Sequence, residues 1–592
     1  MSMSKNIARL AVTAGLTAAL SFGGVMAPVT MAFADGATGS ITINKVDDAK
    51  KDNTFKAYQI FTAKVIDAQD GSGKIASDVK WAVGDQAQKD IITAIRGSKD
   101  YSDSKSQLPT EDPITAQDVA DWLSANVTTT TASANGAKGT RVAPGDVLYS
   151  IAKAVINNET AVGNSIKAGN SWTCSNDGYY LFVSDGLTDT TKPNTGTSPK
   201  PNTGTSPIFA IVGGNPVTVT EKTSIPTVEK KILDDTAGTD ATNEENWKNS
   251  GDAWIGQEID YRLTGHVADN IASYNTYYYE FQDTLSKGLK VVKNSDGSPN
   301  GLHVYIVDNG SKKEVTPDAD KGYTATVTPG ETELLNVSFK NLKTVQTAKG
   351  EPIEVGAASK VVVTYKAQLT SDVEYKAVGT TNEVNLVYSN NPMTDDKGTS
   401  ESDKVTDYVF GLAVTKADAD PDNTNAQLVA RFKVKMTKVK DTDIPGGGKW
   451  LTQEGGLTSE ASKAGVFATE NNNEVFIPGL VEGEYQIIES EAPAGYNTID
   501  PFTITVMPKY NSTGTLEQLD VKSSSNMVVA KTEKTLTTTK IPVTIKNKKG
   551  SGLPLTGLNG VTFTWIAGGA VLCIGVAHLI RSRKQAEESE QE

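Results

Sequence analysis

Three kinds of residue in this sequence have the type and spacing for covalent chemistry. Near the C-terminus the chain reads SGLPLTGLNG, and Leu553, Pro554, Leu555, Thr556 and Gly557 form an L-P-x-T-G pentapeptide. The second kind is a lysine in an apolar phase. In FGLAVTKADAD, Leu412, Val414 and Lys416 share one face of a strand of period 2, and in IPVTIKNKKG so do Val543, Ile545 and Asn547. Between them, GEYQIIESEAPAGY puts Tyr485, Ile487 and Glu489 on one face. A lysine, an asparagine and a glutamate thus point with the aliphatic residues into a core, where unpaired polar groups are costly. Burial favours a neutral amine and a neutral acid. A neutral Lys416 could attack the Asn547 side-chain carbonyl while Glu489 polarises it and shuttles the proton, releasing ammonia and leaving an isopeptide bond. The same phase also fits a Lys416 that snorkels, a Glu489 that pairs with it and an Asn547 that caps a turn.

The pattern recurs upstream. Val228, Lys230 and Ile232 share a face in PTVEKKIL; Tyr277, Tyr279, Phe281 and Asp283 share one in YYYEFQDTLSKGL. Asn382, Val384, Leu386 and Tyr388 do so in NEVNLVYSN, with Asn390 on the same phase. The third kind is a lysine of opposite phase. In NPVTVTEKTSIPTV, Val217 and Val219 face in, whereas Thr218, Thr220 and Lys222 face out. Such a lysine can enter another protein's cleft, or it is an ordinary surface residue.

Other chemistry is scarce. Three histidines are present, and His266 and His303 fall on the phase opposite the aliphatic residues, so a histidine triad or a zinc site is not expected. DADPDN, with Asp418, Asp420 and Asp422, lacks the glycine and glutamate of a calcium loop and reads as a turn. No metal and no cofactor is expected. The P-x-T-G core occurs twice more, in KPNTGTSPKPNTGTSP from Lys192 to Pro207, but with Lys in place of Leu and no apolar run behind it. This tandem repeat reads as an exposed loop.

The elements around these residues follow from composition and periodicity. Lys5 and Arg9 precede a short apolar stretch, and Ala32-Phe33-Ala34 offers a small-x-small cleavage site, so residues 1–34 read as a secretory signal. Behind the pentapeptide, Val561 to Ile580 is a run of about 20 apolar residues, long enough to cross a bilayer. Arg581, Arg583 and Lys584 follow as a cytoplasmic stop. Acidic residues outnumber basic ones, 71 to 57, which argues against a nucleic-acid partner. Of the two cysteines, Cys573 lies in the apolar run, which leaves Cys174 without a partner for a disulfide in an exported chain. From about Ile208 onward, short alternating strands separated by Gly, Asn, Asp and Pro predict β-sandwiches. Before it, TAQDVADWLSANV and PGDVLYSIAKAVINN carry helical spacing, with Thr115 as N-cap and Asp118 in the first turn. Pro226 and the polar stretch TDDKGTSESDKVTDY mark boundaries, giving domains 35–224, 225–408 and 409–550 and a tail 551–592.

Signal, pentapeptide, apolar span and basic tail together resemble the cell-wall sorting signals of Gram-positive surface proteins. In that family a sortase cleaves between Thr and Gly, here Thr556 and Gly557. YQIIESEAPAGY is similar to the E-box of sortase-assembled pilins, with Ile487 for Leu and Ser490 for Thr. The chain is identified by this resemblance as a backbone (major) pilin. The resemblance implies three tandem Ig-like, Cna-type β-sandwich domains, the first with helical insertions, plus a C-terminal transmembrane sorting helix. It implies a Lys416–Asn547 bond of CnaB type catalysed by Glu489, and a Lys230–Asn382 bond of CnaA type catalysed by Asp283, with Asn390 as reserve acceptor. In the first domain Lys45 shares the phase of Ile41 and Ile43, but GYYLFVSDG aligned on the E-box puts Ser184 where the acid belongs and Asp185 one register off, so no bond is expected there. Lys222 stands where the pilin-motif lysine accepts the next subunit's threonine, although Thr220-Glu221 replaces the motif's Tyr-Pro. The implied partners are pilin-specific and housekeeping sortases, identical subunits in a covalent homopolymer, minor pilins, peptidoglycan and a host extracellular ligand. The implied place is the extracellular surface, anchored to the cell wall. A wall-anchored adhesin or minor pilin that does not polymerise shares most of these features. A surface hydrolase does not, for want of a histidine, metal or paired-carboxylate pocket, and the chain is not expected to be an enzyme.

Overall fold

The computed structural model describes residues 7–12, 18–19, 39–45, 53–67, 74–103, 107–127, 142–187, 202–233, 240–423, 427–470, 472–531 and 536–550. The cleavage site at Ala34, the first KPNTGTSP copy, the pentapeptide and the apolar span lie outside them. Within the expected leader, Ile7–Val12 is a strand paired with Lys74–Trp81. No helix among the described residues is long and apolar enough to cross a membrane. The molecule is mostly β, as the alternating strands predict, and its buried residues group into three regions along the chain.

In the first, the central sheet runs through Lys74–Trp81, Thr54–Asp67, Gly178–Asp185 and Ile208–Val212. Three helices, Asp85–Arg96, Ala116–Asn126 and Val147–Asn158, cover one face, packing Ile91, Val119, Leu123, Ile151 and Val155 against Phe61, Tyr179, Leu181 and Phe209. The opposite face buries Tyr180, Phe182 and Ile208 with Ile41 and Ile43 of a small sheet. Covered on both sides, Gly178–Asp185 is buried continuously through Ser184 instead of alternating, with an apolar run at Tyr179–Val183. Thr115 caps its helix reciprocally, with Asp118 N donating to Thr115 Oγ1 (3.2 Å) and Thr115 N to Asp118 Oδ2 (2.8 Å). The helix Asp85–Arg96, marked by Ala87, Ile91 and Ile95 one turn apart, went unread in the sequence.

The second and third regions are two-sheet sandwiches whose strands alternate buried and half-buried residues. In the second, Thr227–Leu233, Glu258–His266 and Lys360–Leu369 lie side by side, facing a sheet that holds Tyr279–Leu285 and Thr380–Ser389. In the third, the first strand, Phe410–Asp418, pairs parallel with the last, Lys540–Asn547, opposite a sheet containing Gly483–Glu491.

One expectation fails here. The described part of the second octapeptide copy, residues 202–207, is not an exposed loop: Asn202, Thr203, Thr205 and Ser206 are buried between the first and second domains. Thr203 O accepts from Asn53 Nδ2 (3.0 Å), Asn202 O from Tyr388 OH (3.0 Å), and Gly204 O from Asn270 Nδ2 (3.2 Å). Turn-forming residues read as solvated because their backbone groups need partners; here the flanking domains supply them.

Candidate crosslinking centres

Lys416 and Asn547 come from neighbouring parallel strands. The register sets Lys416 opposite Ile545 and Asp418 opposite Asn547, so the two side chains are diagonal neighbours on one face. Both are buried, as is Glu489, which reaches them from the facing sheet. Lys416 Nζ contacts Asn547 Oδ1 and donates to Ile545 O at 3.2 Å, with Glu489 Oε1 at 3.6 Å. Asn547 Nδ2 donates to Glu489 Oε1 (2.9 Å), Glu489 Oε2 (2.8 Å) and Asn497 O (3.0 Å). The amine thus lies on the carbonyl end of the amide and the acid on its nitrogen. Burial pulls the Lys416 amine down to about 8, against the attraction of Glu489.

The second centre draws on both sheets of its sandwich. Lys230 and Tyr365 come from one, Asp283 and Asn382 from adjacent strands of the other, and all four are buried. Lys230 Nζ contacts Asp283 Oδ1 and donates to Tyr365 OH at 3.2 Å. Tyr365 OH donates to Asp283 Oδ2 at 2.5 Å and accepts from Asn382 Nδ2 at 2.7 Å. Lys230 Nζ also lies 5.3 Å from the Tyr261 ring centroid and 5.5 Å from that of Tyr365. Burial lowers the Lys230 pKa and raises that of Asp283, and each partner's charge opposes the shift. Asn382 Oδ1 is buried without a hydrogen-bond partner among the described residues, an arrangement that costs about 1–3 kcal/mol and calls for an explanation.

Asn390, the reserve acceptor, is elsewhere. Its Nδ2 donates to Leu187 O (2.7 Å) and Asn202 Oδ1 (3.2 Å) in the seam between the first two domains. Tyr365 was missed by sequence reasoning, although its place in phase with Val361, Val363 and Ala367 set a hydroxyl in a core. In the first domain, Ser184 Oγ accepts from Thr205 N (3.1 Å) and Asp185 pairs with Lys56 (2.9 Å). Among the described residues that domain's buried lysine is Lys74, also unforeseen, whose Nζ donates to Asp67 Oδ1 (2.8 Å), Gly213 O (2.6 Å) and Asn215 O (2.7 Å). Its acceptors are a carboxylate and backbone carbonyls, which a lysine does not displace.

Lys222 departs from its expected phase. The strand Val217–Thr220 ends two residues earlier with Thr218 and Thr220 exposed, whereas Lys222 is half-buried. Its backbone N donates to Thr205 Oγ1 at 3.1 Å, beside a buried Glu221 that accepts from Asn53 Nδ2 at 2.8 Å. His266 and His303 are exposed. DADPDN is a turn: Asp418 accepts from Asp420 N (3.0 Å) and Tyr496 OH (2.7 Å), tying the end of the E-box to the first strand. Among the described residues no group of three or more histidine, cysteine or acidic residues could hold a metal ion.

The profile of the SpaA prealbumin-like fold domain matches residues 412–522. The fimbrial subunit type 2 of Actinomyces naeslundii is 26% identical over 331 residues, covering 52% of this chain and 54% of the relative. The chain therefore spans about half the length of the curated relative it matches. A modular three-domain backbone pilin of Streptococcus pyogenes superposes with a TM-score of 0.46 at 13% identity, covering 87% of this chain and 100% of that one. The major pilin SpaD of Corynebacterium diphtheriae gives 0.43 at 15% identity, covering 88% and 99%. Residues 412–522 are thus similar to the SpaA prealbumin-like fold domain, and the chain is similar over about half its length to a fimbrial subunit.

Proposed function

We propose that this chain is the shaft subunit of a covalent pilus, stiffened by its own Lys416–Asn547 and Lys230–Asn382 bonds and polymerised by sortase. The observation that carries the reading is the pair of buried lysine–acid–asparagine centres, each drawing on the two sheets of a sandwich. In each, the lysine Nζ attacks the asparagine Cγ, the C–Nδ2 bond breaks, and ammonia leaves with the proton the amine gives up. The acid ends as it began, and each site reacts once. Such a chain is a substrate of enzymes and not itself one. A sortase would cleave Thr556–Gly557, hold the Thr556 acyl group, and pass it to Lys222 of the next subunit; a housekeeping sortase would pass the last one to peptidoglycan. Lys222 lies at the junction of the first and second domains, so the joint would place one subunit's third domain on the next subunit's first.

An immunoblot of cell-wall extract tests this. Wild type should give a high-mass ladder. Lys222→Ala should collapse it to monomer that still reaches the wall through Thr556, and Lys222→Arg should do the same because a guanidinium stays protonated. A single wild-type band would mean a non-polymerising adhesin or minor pilin. A ladder that survives both substitutions puts the acceptor elsewhere; the half-buried Lys231 is then the neighbour to test, since Lys230 is buried.

A further inference from the structure

The two centres differ in how the acid reaches the amide. Glu489 accepts from Asn547 Nδ2 with both carboxylate oxygens. No hydrogen bond joins Asp283 to Asn382; the Tyr365 hydroxyl stands between them, 2.5 Å from Asp283 Oδ2 and 2.7 Å from Asn382 Nδ2. The ring is held there, stacked on Tyr261 at 5.3 Å between centroids and 13° between planes, and the Tyr261 hydroxyl is fixed by Asp407. The nucleophile, Lys230 Nζ, touches the same hydroxyl and the other oxygen of the same carboxyl group. Amine, acid and phenol therefore form a closed ring, the amide hangs from it through the phenol, and the amide oxygen has no hydrogen-bond partner among the described residues.

We infer that Tyr365 is a catalytic residue of the Lys230–Asn382 crosslink, relaying a proton from Asp283 to the departing amide nitrogen. This rests on the reading that Lys230 and Asn382 become joined. The step starts from neutral amine and neutral acid. Nζ adds to Cγ; Asp283 Oδ1 takes a proton from Nζ; Oδ2–H passes one to the Tyr365 oxygen, which passes its own to Nδ2. The C–Nδ2 bond then breaks and ammonia leaves. Asp283 and Tyr365 each gain one proton and lose one, and no other reactant is needed. Burial, which favours the un-ionised form of all three groups, suits this start.

The test follows crosslink formation by intact mass and peptide mapping in the full chain, sampled after cell-free synthesis. Wild type should lose two ammonia molecules and yield a Lys230–Asn382 linked peptide; absence of that peptide overturns the crosslink reading itself. Tyr365→Phe should still form the Lys416–Asn547 link but form the second-domain link about a hundredfold or more slowly, as loss of a general acid does. A wild-type rate in Tyr365→Phe overturns the relay and leaves the crosslink reading standing. Folding is checked against Lys230→Ala, which cannot form the bond; before its own link forms, Tyr365→Phe should show the same hydrogen-exchange protection of the second domain. Should Tyr365→Phe fail to fold, 3-fluorotyrosine placed at 365 keeps ring and hydroxyl while changing phenol acidity. Its link should form at a changed rate, and an unchanged rate overturns the proposal.

Discussion

Lys416 carries the sharpest residue-scale expectation, because its amine and its amide behave oppositely. Once joined to Asn547 its nitrogen does not titrate. In Asn547→Ala the amine stays free, and the burial that pulls the unlinked Lys416 from 10.5 to about 8 should act on it in the same direction. Below that value folded and unfolded chains both hold the proton, and the folded one carries the full cost of burying the charge. Between about 8 and 10.5 only the unfolded chain holds it, so stability rises with pH across that window and flattens above it. Urea midpoints of the third domain should therefore climb with pH in Asn547→Ala but not in wild type. A flat profile in the variant would mean that Lys416 is not desolvated. At the same site, Glu489→Gln keeps the shape but cannot exchange a proton. Its intact mass should exceed that of wild type by one ammonia, apart from the substitution itself, while the second-domain link survives.

At the scale of elements, what matters is which strands the proposed bond would join. Phe410–Asp418 and Lys540–Asn547 are the first and last strands of the third domain, adjacent and parallel, with Lys416 and Asn547 131 positions apart. By loop-closure entropy alone such a link is worth about 5 kcal/mol. Its mechanical effect follows from the geometry: tension applied at the two ends enters these two strands and passes through the covalent bond, leaving the rest of the sandwich unloaded. Lys416→Ala should lower the melting temperature of the third domain and let trypsin into it. In single-molecule pulling, the variant should show one extra extension step that wild type lacks. Equal extension of the two proteins would place the load elsewhere.

The whole molecule depends on seams as well as sandwiches. Asn202–Ser206 is clamped between the first two domains, and the loop at Asn390–Met393 enters the first, with Met393 in its core and Lys153 Nζ donating to Met393 O at 2.5 Å. The second and third domains meet through Tyr375, whose ring lies edge-on to Phe476 at 4.7 Å and whose OH accepts from Gly479 N at 3.1 Å. Such contacts keep consecutive domains in fixed relation, as the proposed shaft would require. Gly204 is a sensitive point, since a Cβ there would fall 2.7 Å from Leu187 Cδ1 and 2.9 Å from Ser184 Cβ. Gly204→Ala should raise hydrogen exchange at 202–206 and 390–393 without changing the ammonia loss of either centre. Unchanged protection would show that the seam is not tightly packed.

Strand phase by itself brought out Lys230, Asp283, Asn382, Lys416, Glu489 and Asn547, because period 2 leaves a side chain only two directions and a polar residue among aliphatics is conspicuous. The capping box at Thr115 and the helix of Val147–Asn158 were legible for the same local reason. Phase did not extend to Lys222, since the strand that set it ends at Thr220. Nor could it rank Asn382 against Asn390, which share a phase on one run and differ only in what stands opposite: Tyr365 for one, the seam for the other. The burial of Asn202–Ser206 and the bridging hydroxyl of Tyr365 were likewise decided by tertiary structure. A backbone carbonyl or a phenol carries no local sign of its partner, and these partners lie tens to hundreds of positions away in the chain.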